Sequence, residues 1–340
     1  MMKLLVSALE PSANLHLNSI LPHLNREIVG IFDERFGKPI YDTSEFSVMG
    51  FLDVIPKIFK AKDAIKEMTN LAKECDSVLL IDAPSFNIPL AKSIKKRYPD
   101  KKITYYILPK VWAWKKNRVK KVEKYCDNLA SIIPFEDKFY NRSTYVGNPI
   151  LDEIKKFKEA SKKYNSVAFM PGSRVSEVKR LMPIFREVAK EIDKRKVIII
   201  PPFLKDKDIS QLYGDISDFD ISYMVQETLC HSDFAFICSG TATLEAAVIG
   251  TPFVLVYKAR SIDYKIAKRF VKLPYVGLAN LIFYFNNGKE FHEELLQDEV
   301  TKTNLLKAYQ NYDSRYFLNN SAKLRDILKN GSAKNILNLI

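Results

Sequence analysis

The sequence predicts an α/β protein made of two doubly wound halves, each a parallel sheet covered by helices on both faces. Short apolar runs of strand length alternate with amphipathic stretches of helix length from the first residues onward. A charged stretch over 151–163 interrupts this alternation, which then restarts. In both halves, polar or small residues follow predicted strands, at the sheet edge where ligands bind in such folds.

These observations predict two Rossmann-like domains that face a central cleft. The first covers residues 1–155 and the second covers 156–305. Residues 306–340 are predicted to be helical. In two-domain proteins of this kind a final helix often crosses back to the first domain.

The first half begins with a strand and continues with alternating helices and strands. Its predicted strands are Lys3–Ala8, Ile28–Phe32, Val78–Asp82, Ile103–Leu108 and Leu129–Ile133. Its predicted helices are Ser12–Leu24, Phe51–Lys73, Ile88–Arg97 and Val111–Tyr125. Helical crossovers between successive strands are what a parallel sheet requires.

The second half repeats the same order. Its predicted strands are Val167–Met170, Val197–Ile200, a strand around Phe219–Tyr223, Phe234–Ile237 and Phe253–Tyr257. Its clearest helices are Glu177–Asp193 and Thr241–Ile249, the latter closed by Gly250 and Pro252.

Composition narrows the classes of function. The 340 residues are 47% hydrophobic, which excludes a disordered protein, and no apolar run is long enough to span a membrane. The N-terminus is too short and polar for a signal peptide, and the four cysteines have no CxxC spacing, so we expect a reduced, cytoplasmic protein. A formal net charge of +13 favours an anionic partner: nucleic acid, a membrane surface or a phosphorylated substrate.

The segment Cys238–Glu245 predicts a site for a nucleotide. Ser239 and Gly240 form a tight turn between a strand and a helix, and small residues there let phosphates approach the N–H groups of the helix N-terminus. Thr241 and Glu245 share one helical face, where a carboxylate would repel phosphates but accept the two hydroxyls of a ribose. The alternative is that Ser239 only caps the helix and Glu245 only complements its dipole.

Arg174 follows a similar turn, Pro171-Gly172-Ser173, between a strand and a helix. A guanidinium at this position binds phosphate oxygens in a bidentate manner. The alternative is an ordinary surface arginine in the first turn of a helix.

Two carboxylates in the first half follow predicted strands. Asp82 ends the strand Val78–Asp82, where a general base would face the cleft, although it is equally suited to cap the next helix. Glu10 and Ser12 follow the first strand and are candidates to contact an acceptor. Ser12 is also a plausible helix cap.

Two basic segments predict a surface for a membrane or for single-stranded nucleic acid. Lys101–Tyr125 holds nine Lys or Arg and only one Glu, together with Trp112 and Trp114. The helix Phe51–Lys73 begins with apolar residues interleaved with lysines, the candidate membrane contacts being Val54, Ile55, Ile58 and Phe59. The alternative is an ordinary buried helix with a solvated lysine face. The histidines and the acidic pairs have no metal-binding context, so no metal and no cofactor are expected.

Taken in order, these segments resemble lipid-A-disaccharide synthases, which are glycosyltransferases of the GT-B type. The matching motifs are Glu10-Pro-Ser-Ala-Asn14, Ser47-Val-Met-Gly-Phe51, Ile81-Asp-Ala-Pro-Ser-Phe-Asn87, Pro109-Lys-Val-Trp-Ala-Trp114, Pro134-Phe-Glu136, Val146-Gly-Asn-Pro149, Pro171-Gly-Ser-Arg174, Ser239-Gly-Thr-Ala-Thr-Leu-Glu245, Pro274-Tyr-Val-Gly-Leu-Ala-Asn280 and Leu295-Leu-Gln297. Asp-Ala-Pro-x-Phe-Asn and Val-Trp-Ala-Trp are specific to this family. The chain departs from the family pattern at Leu9, Ala13, Asn14, Asn148 and Ala279.

The resemblance implies a GT-B fold and an inverting transfer from UDP-2,3-diacylglucosamine to 2,3-diacylglucosamine 1-phosphate (lipid X), without a metal. It also implies that the protein acts at the anionic cytoplasmic face of the inner membrane. In this reaction Asp82 would be the base, and Asn280 and Gln297 would contact the donor. Two alternatives stay open. Another UDP-N-acetylglucosamine enzyme of this architecture would lack Val-Trp-Ala-Trp, and a nucleic-acid-binding protein would leave the cleft motifs unexplained.

Overall fold

The computed structural model describes residues 2–43, 54–159, 162–205, 208–260 and 273–340, apart from the side chains of residues 54–59 and 287. The chain divides into two compact units. Unit 1 contains Met1–Asp152 and Leu328–Ile340, and unit 2 contains Glu153–Ile327. The C-terminal segment predicted over 306–340 is thus shared between the two units.

Unit 1 is built on a six-stranded sheet in which all neighbouring strands are parallel, in the order β2-β1-β3-β4-β5-β6. Its strands are β1 (Lys3–Ser7), β2 (Glu27–Ile31), β3 (Ser77–Ile81), β4 (Lys102–Tyr106), β5 (Asn128–Ser131) and β6 (Thr144–Tyr145). Its helices are α1 (Pro11–Ile20), α2 (Val54–Leu71), α3 (Pro84–Arg97), α4 (Arg118–Tyr125) and α5 (Ile150–Glu153), whose last residue belongs to unit 2.

The central strands of the unit 1 sheet are buried on both faces, and β3 is buried along its whole length. In β3, Val78 and Leu80 belong to one apolar core, whereas Leu79 and Ile81 belong to another. Successive residues of a strand point to opposite faces, so continuous apolar runs are expected when helices cover both. Ile336, close to the C-terminus, packs into the second core, which ties the last residues to this unit.

Unit 2 has a second six-stranded sheet, also parallel at every pairing, in the order β12-β11-β10-β7-β8-β9. Its strands are β7 (Ser166–Met170), β8 (Arg195–Ile199), β9 (Asp220–Ser222), β10 (Phe234–Cys238), β11 (Phe253–Tyr257) and β12 (Glu294–Leu296). The helices that follow are α6 (Val175–Ala189), α7 (Ser210–Tyr213), α8 (Val225–Cys230), α9 (Thr241–Ile249), α10 (Leu278–Asn287), α11 (Lys302–Asn311), α12 (Ser314–Leu328) and, in unit 1, α13 (Ser332–Asn335).

The prediction of two doubly wound parallel sheets is confirmed, but one predicted helix is wrong in its first half. Residues 111–114 form turns, and α4 begins only at Arg118. Lys115, which lies inside the predicted helix, has a positive φ angle of 53°, which a continuous α-helix cannot contain. The segment with Trp112 and Trp114 is therefore a loop at the carboxyl end of β4.

Candidate active site

Asp82 directly follows β3 and has a strained, fixed backbone. Its φ angle is 48° and that of Ala83 is 41°, a region that residues other than glycine seldom adopt. The Asp82 N–H donates to the Tyr106 carbonyl at 2.9 Å, and the Asp82 carbonyl accepts from the Tyr105 hydroxyl at 2.5 Å. Ala83, not Asp82, is the N-cap residue of α3. The Asp82 carboxyl group accepts a hydrogen bond from the Ala83 N–H, so its role as a base stays a prediction.

Buried amides hold this edge of unit 1 together. Asn87 donates to the Asp82 carbonyl at 2.8 Å and accepts from the Ser7 hydroxyl at 2.7 Å. Asn14 donates to the Ala8 carbonyl at 2.8 Å and accepts from the Asp33 N–H at 2.9 Å. Both side-chain amides form hydrogen bonds within the protein, and these bonds fix the ends of β1, β2 and β3.

The carboxylates of Asp82 and Glu10 lie in one electrostatic neighbourhood. Burial raises the pKa of Asp82, while the charge of Lys110, the Ala83 N–H and His16 act in the opposite direction. Glu10 is an exposed residue, yet partial desolvation of its carboxyl group and the charge of Asp82 raise its pKa, against the effect of Lys110. Lys110 is therefore shared by two carboxylates. The sequence analysis assigned it no role, although it stands in the motif Pro109–Trp114.

Glu10 occupies the N-cap position of α1, and no described side chain caps that helix. Ser12 is exposed in the first turn. The alternative that Ser12 serves as the cap is therefore wrong, and its role toward an acceptor stays a prediction.

The two tryptophans of the loop after β4 differ in their surroundings. The Trp112 indole N–H donates to Glu136 Oε1 at 3.3 Å, and its ring packs edge-on against Phe135 with centroids 5.5 Å apart. Trp114 is 52% exposed and lies beneath the Lys115 ammonium, 4.2 Å from the ring centroid. The membrane contact of both tryptophans stays a prediction. Trp112 is partly buried and its indole N–H is already bound inside unit 1, whereas Trp114 is exposed.

In unit 2, two glycine-containing turns lie side by side. Strands β7 and β10 are neighbours, with Met170 paired to Ile237, so the turns that follow them meet at one sheet edge. Gly172 has a φ angle of 102°, and a Cβ atom there would lie 2.6 Å from Glu177 Oε2 and 3.1 Å from Cys238 Sγ. Only glycine fits this close contact.

The N-terminus of α9 is open to a ligand. Its N-cap is Gly240, and no side chain of the described residues caps the helix. Ser239 donates its N–H to the Val256 carbonyl at 2.9 Å, while Gly240 and Thr241 are exposed. The alternative that Ser239 is only a helix cap is therefore wrong, and the exposed N–H end of α9 suits an anion.

A cavity of about 350 Å³ lies beside these turns in unit 2. The charged residues that line it are Arg174, Glu177, Arg180, Lys258 and Arg260, so four cations face one carboxylate. Arg174 donates to Glu177 Oε1 at 2.8 Å, which fixes an otherwise largely exposed guanidinium. Arg180, Lys258 and Arg260 were not predicted from the sequence. Lys258 and Arg260 are the first and third residues after the strand Phe253–Tyr257, so they were recognisable as strand-end cations.

Glu245 and Gln297 are placed near this sheet edge by different elements. Glu245 is half-buried in α9, and both its burial and the charge of Glu153 raise its pKa. Gln297 follows β12, and its side-chain amide pairs with the Ala259 backbone, donating to the carbonyl and accepting from the N–H at 3.1 Å each. Gln297 thereby fixes the strand-end loop that carries Lys258 and Arg260.

Asn280 is fully buried and its amide is saturated. It donates to the His292 carbonyl at 2.9 Å and to Glu294 Oε1 at 2.8 Å, and it accepts from the N–H groups of Phe291 and His292. An amide has two donors and two acceptor sites, so none is left for a ligand. The prediction of a direct donor contact is corrected to a structural role, since Glu294 in turn accepts from the N–H of Gly277 at 2.9 Å.

The predicted membrane residues Val54, Ile55, Ile58 and Phe59 lie at the start of α2, but their side chains are outside the described residues, as is the motif Ser47–Phe51. None of the helices described here is both long and apolar enough to cross a bilayer. In the same part of the chain, no three His, Cys, Asp or Glu side chains are grouped so that they would hold a metal ion.

Comparison with known proteins identifies the family. A family model described as lipid-A-disaccharide synthetase matches residues 4–335. The chain is 49% identical to the lipid-A-disaccharide synthase of Campylobacter jejuni strain RM1221, over 99% of this chain and 98% of that protein. It is 48% identical to that of Helicobacter pylori strain Shi470, over 98% and 97%.

Solved structures agree on the fold. The chain superposes on Acinetobacter baumannii MurG with a TM-score of 0.63 at 12% identity, covering 100% of this chain and 99% of MurG. The calicheamicin glycosyltransferase CalG4 gives a TM-score of 0.59 at 14% identity, with coverages of 100% and 96%. These neighbours, together with the two parallel sheets, make the fold GT-B.

Proposed function

We propose that this chain, which belongs to the lipid-A-disaccharide synthetase family, transfers 2,3-diacylglucosamine from its UDP conjugate to 2,3-diacylglucosamine 1-phosphate. The products are UDP and the β-1,6-linked disaccharide 1-phosphate of lipid A. One observation carries this assignment: the chain is 49% identical to a lipid-A-disaccharide synthase over 99% of its length.

Unit 1 supplies the base. Asp82 takes the proton from the 6-hydroxyl of the acceptor as that oxygen attacks the anomeric carbon. Two features support this role: the hydrogen-bonded, strained backbone fixes the carboxyl group, and burial raises its pKa toward that of a useful base. The charge of Lys110 opposes this rise in the pKa of Asp82, and Glu10 with Ser12 contacts the acceptor.

Unit 2 supplies the donor site. Arg174 and the N-terminus of α9, with Ser239, Gly240 and Thr241, bind the diphosphate, and their positive charge stabilises the UDP that leaves. The four cations of the cavity support this role. Glu245 binds the ribose hydroxyls, Gln297 holds the loop with Lys258 and Arg260, and Asn280 positions the segment before α10.

The acylated substrates require contact with a bilayer. The chain binds the anionic cytoplasmic face of the inner membrane as a peripheral protein, with Trp114 and the apolar start of α2 as contacts. The exposed indole, with cations at 4.2 and 5.6 Å from its ring centroid, supports an interfacial position.

A direct test measures UDP release from UDP-2,3-diacylglucosamine by the purified protein, with and without 2,3-diacylglucosamine 1-phosphate. Release is expected only when both lipids are present. Equal release without the acceptor, or turnover of UDP-N-acetylglucosamine in place of the acylated donor, would reject this assignment in favour of another UDP-sugar enzyme.

A further inference from the structure

Glu136 is a fully buried carboxylic acid to which the proposed reaction gives no role. It lies after β5 in the motif Pro134-Phe-Glu136, and its exposed fraction is 0%. Burying an ionisable group is costly unless its partners compensate for lost water. A carboxyl group in this position therefore requires a physical reason.

Two neighbouring side chains contact the carboxyl group of Glu136. Oε2 accepts from the Ser131 hydroxyl at 2.8 Å, and Oε1 accepts from the Trp112 indole N–H at 3.3 Å. Burial raises the pKa of Glu136 to about 7, while the hydrogen bonds from Ser131, Trp112 and the Ile133 N–H, and the charge of Lys110, pull it down. An indole N–H is only a donor, so the contact with Trp112 favours the ionised form.

Through Trp112, Glu136 is connected to the proposed catalytic group. Trp112 and Lys110 belong to the same short loop, residues 109–114, after β4. The loop is held at its other end by the Tyr140 hydroxyl, which donates to the Pro109 carbonyl at 2.7 Å. The Lys110 charge acts on three carboxyl groups: those of Glu10, Asp82 and Glu136.

We propose that Glu136 is a positioning residue for the sugar transfer: its carboxylate holds the Trp112 indole, and so keeps the 109–114 loop in the place where the Lys110 ammonium faces Asp82 and Glu10. This inference rests on the proposed function of Asp82. Protonation of Glu136 removes the negative charge that the indole N–H and Lys110 both face. The loop then loosens, and the rate falls at acidic pH.

Few other titrating groups among the described residues face Glu136. Lys110 approaches it from the loop after β4, Tyr140 from the segment before β6, and Tyr145 from β6. Burial raises the pKa of both tyrosines above the usual range, so they stay neutral at the pH values concerned. The charge of His16 affects the pKa of Asp82. A change in rate with pH must therefore be assigned to Glu136 by a separate measurement.

Fluorescence isolates Glu136 from the chemistry of the reaction. Trp112 and Trp114 are the only tryptophans, so Trp114→Phe leaves Trp112 as the single reporter. Its emission is expected to change between pH 5.5 and 8.5 with a midpoint near that of Glu136, and Glu136→Gln is expected to abolish this transition. A flat titration, or one that Glu136→Gln leaves unchanged, would overturn the proposal even if the enzyme is active.

Kinetics then test positioning against a merely structural role. At pH 8, Glu136→Gln should lower kcat about tenfold with KM for both lipids changed less than twofold, and Glu136→Asp should recover part of the loss. Trp112→Phe removes the indole donor but keeps an aromatic ring, so it should cause a similar loss. The double variant Glu136→Gln/Trp112→Phe should be no slower than either single variant.

Two outcomes of these assays are decisive against the inference. One is a folded Glu136→Gln enzyme with the kcat and acid limb of the wild type. The other is losses from Glu136→Gln and Trp112→Phe that multiply in the double variant. If the wild type forms no disaccharide, the proposed function fails, whereas the Trp112 titration still tests the contact with Glu136.

Discussion

The buried Glu136 carboxyl predicts a stability that depends on pH, and replacing it with glutamine should reveal the dependence. In the folded protein its pKa is about 7, against an ordinary value of 4.5. The folded state therefore prefers the protonated form. The contribution of this group to stability is fully present below pH 4.5 and is lost as the pH rises toward 7.

The size of the effect follows from the pKa difference. Each unit corresponds to about 1.4 kcal/mol, so the ionised group costs about 3 kcal/mol at pH 8, of which roughly 2–3 kcal/mol develops between pH 5 and pH 8. Glutamine has a similar shape and no charge. Relative to the wild type, the stability of Glu136→Gln should therefore rise by roughly 2–3 kcal/mol between pH 5 and pH 8.

Urea unfolding followed by tryptophan fluorescence measures this difference in stability for unit 1, which contains Glu136, because both tryptophans belong to unit 1. Subtracting the wild-type curve at each pH cancels the titration of all other groups. The neighbouring Asp137→Asn is the matched control: Asp137 is exposed, so its removal should leave the pH dependence as in the wild type. A stability difference for Glu136→Gln that is the same at pH 5 and pH 8 would refute the reasoning.

Three further predictions concern the reaction and the membrane. Asp82→Asn should reduce kcat by about 10²–10⁴-fold with UDP affinity unchanged, and near wild-type turnover would remove Asp82 from the mechanism. Arg174→Ala should weaken UDP binding by about 1.5–3 kcal/mol, roughly 10- to 150-fold by calorimetry. The control Arg195→Ala removes another exposed arginine that is paired with a carboxylate, and it should leave UDP binding unchanged. Equal UDP affinities of the two variants would place Arg174 outside the site. Binding to anionic vesicles should weaken in high salt without vanishing. Replacing the apolar residues at the start of α2 with serine should remove the salt-resistant part of the binding; these residues are Val54, Ile55, Ile58 and Phe59. If that variant is folded and still floats with vesicles in high salt, the start of α2 is not a membrane contact.

Much of the fold was predictable because strands buried on both faces are continuous apolar runs. Phe234–Cys238 and Phe253–Tyr257 stood out for this reason, and Gly250 ends the helix between them with a φ angle of 97°. The loop over residues 109–114 was not predictable as a loop, since its composition suits an amphipathic helix. Ile107 and Lys115, on either side of this loop, have positive φ angles that its composition does not indicate.

The candidate site was predicted where function requires a residue type at a strand end, as at Asp82 and Arg174. The sequence did not distinguish ligand contacts from buried supports. Asn280 matches the family motif, but all the hydrogen bonds that its amide can form go to the backbone and to Glu294. Lys110 and Glu136 lie 26 residues apart in the chain, and their shared relation to Trp112 appears only when β4 and β5 pair.

The most direct test of the central claim is the linkage of the product. The purified protein should convert UDP-2,3-diacylglucosamine and 2,3-diacylglucosamine 1-phosphate into one UDP per disaccharide, with a β-1,6 linkage by nuclear magnetic resonance, and Asp82→Asn should lose this product. An α linkage, or UDP released while the sugar is merely hydrolysed, would contradict an inverting transfer in which Asp82 activates the acceptor hydroxyl.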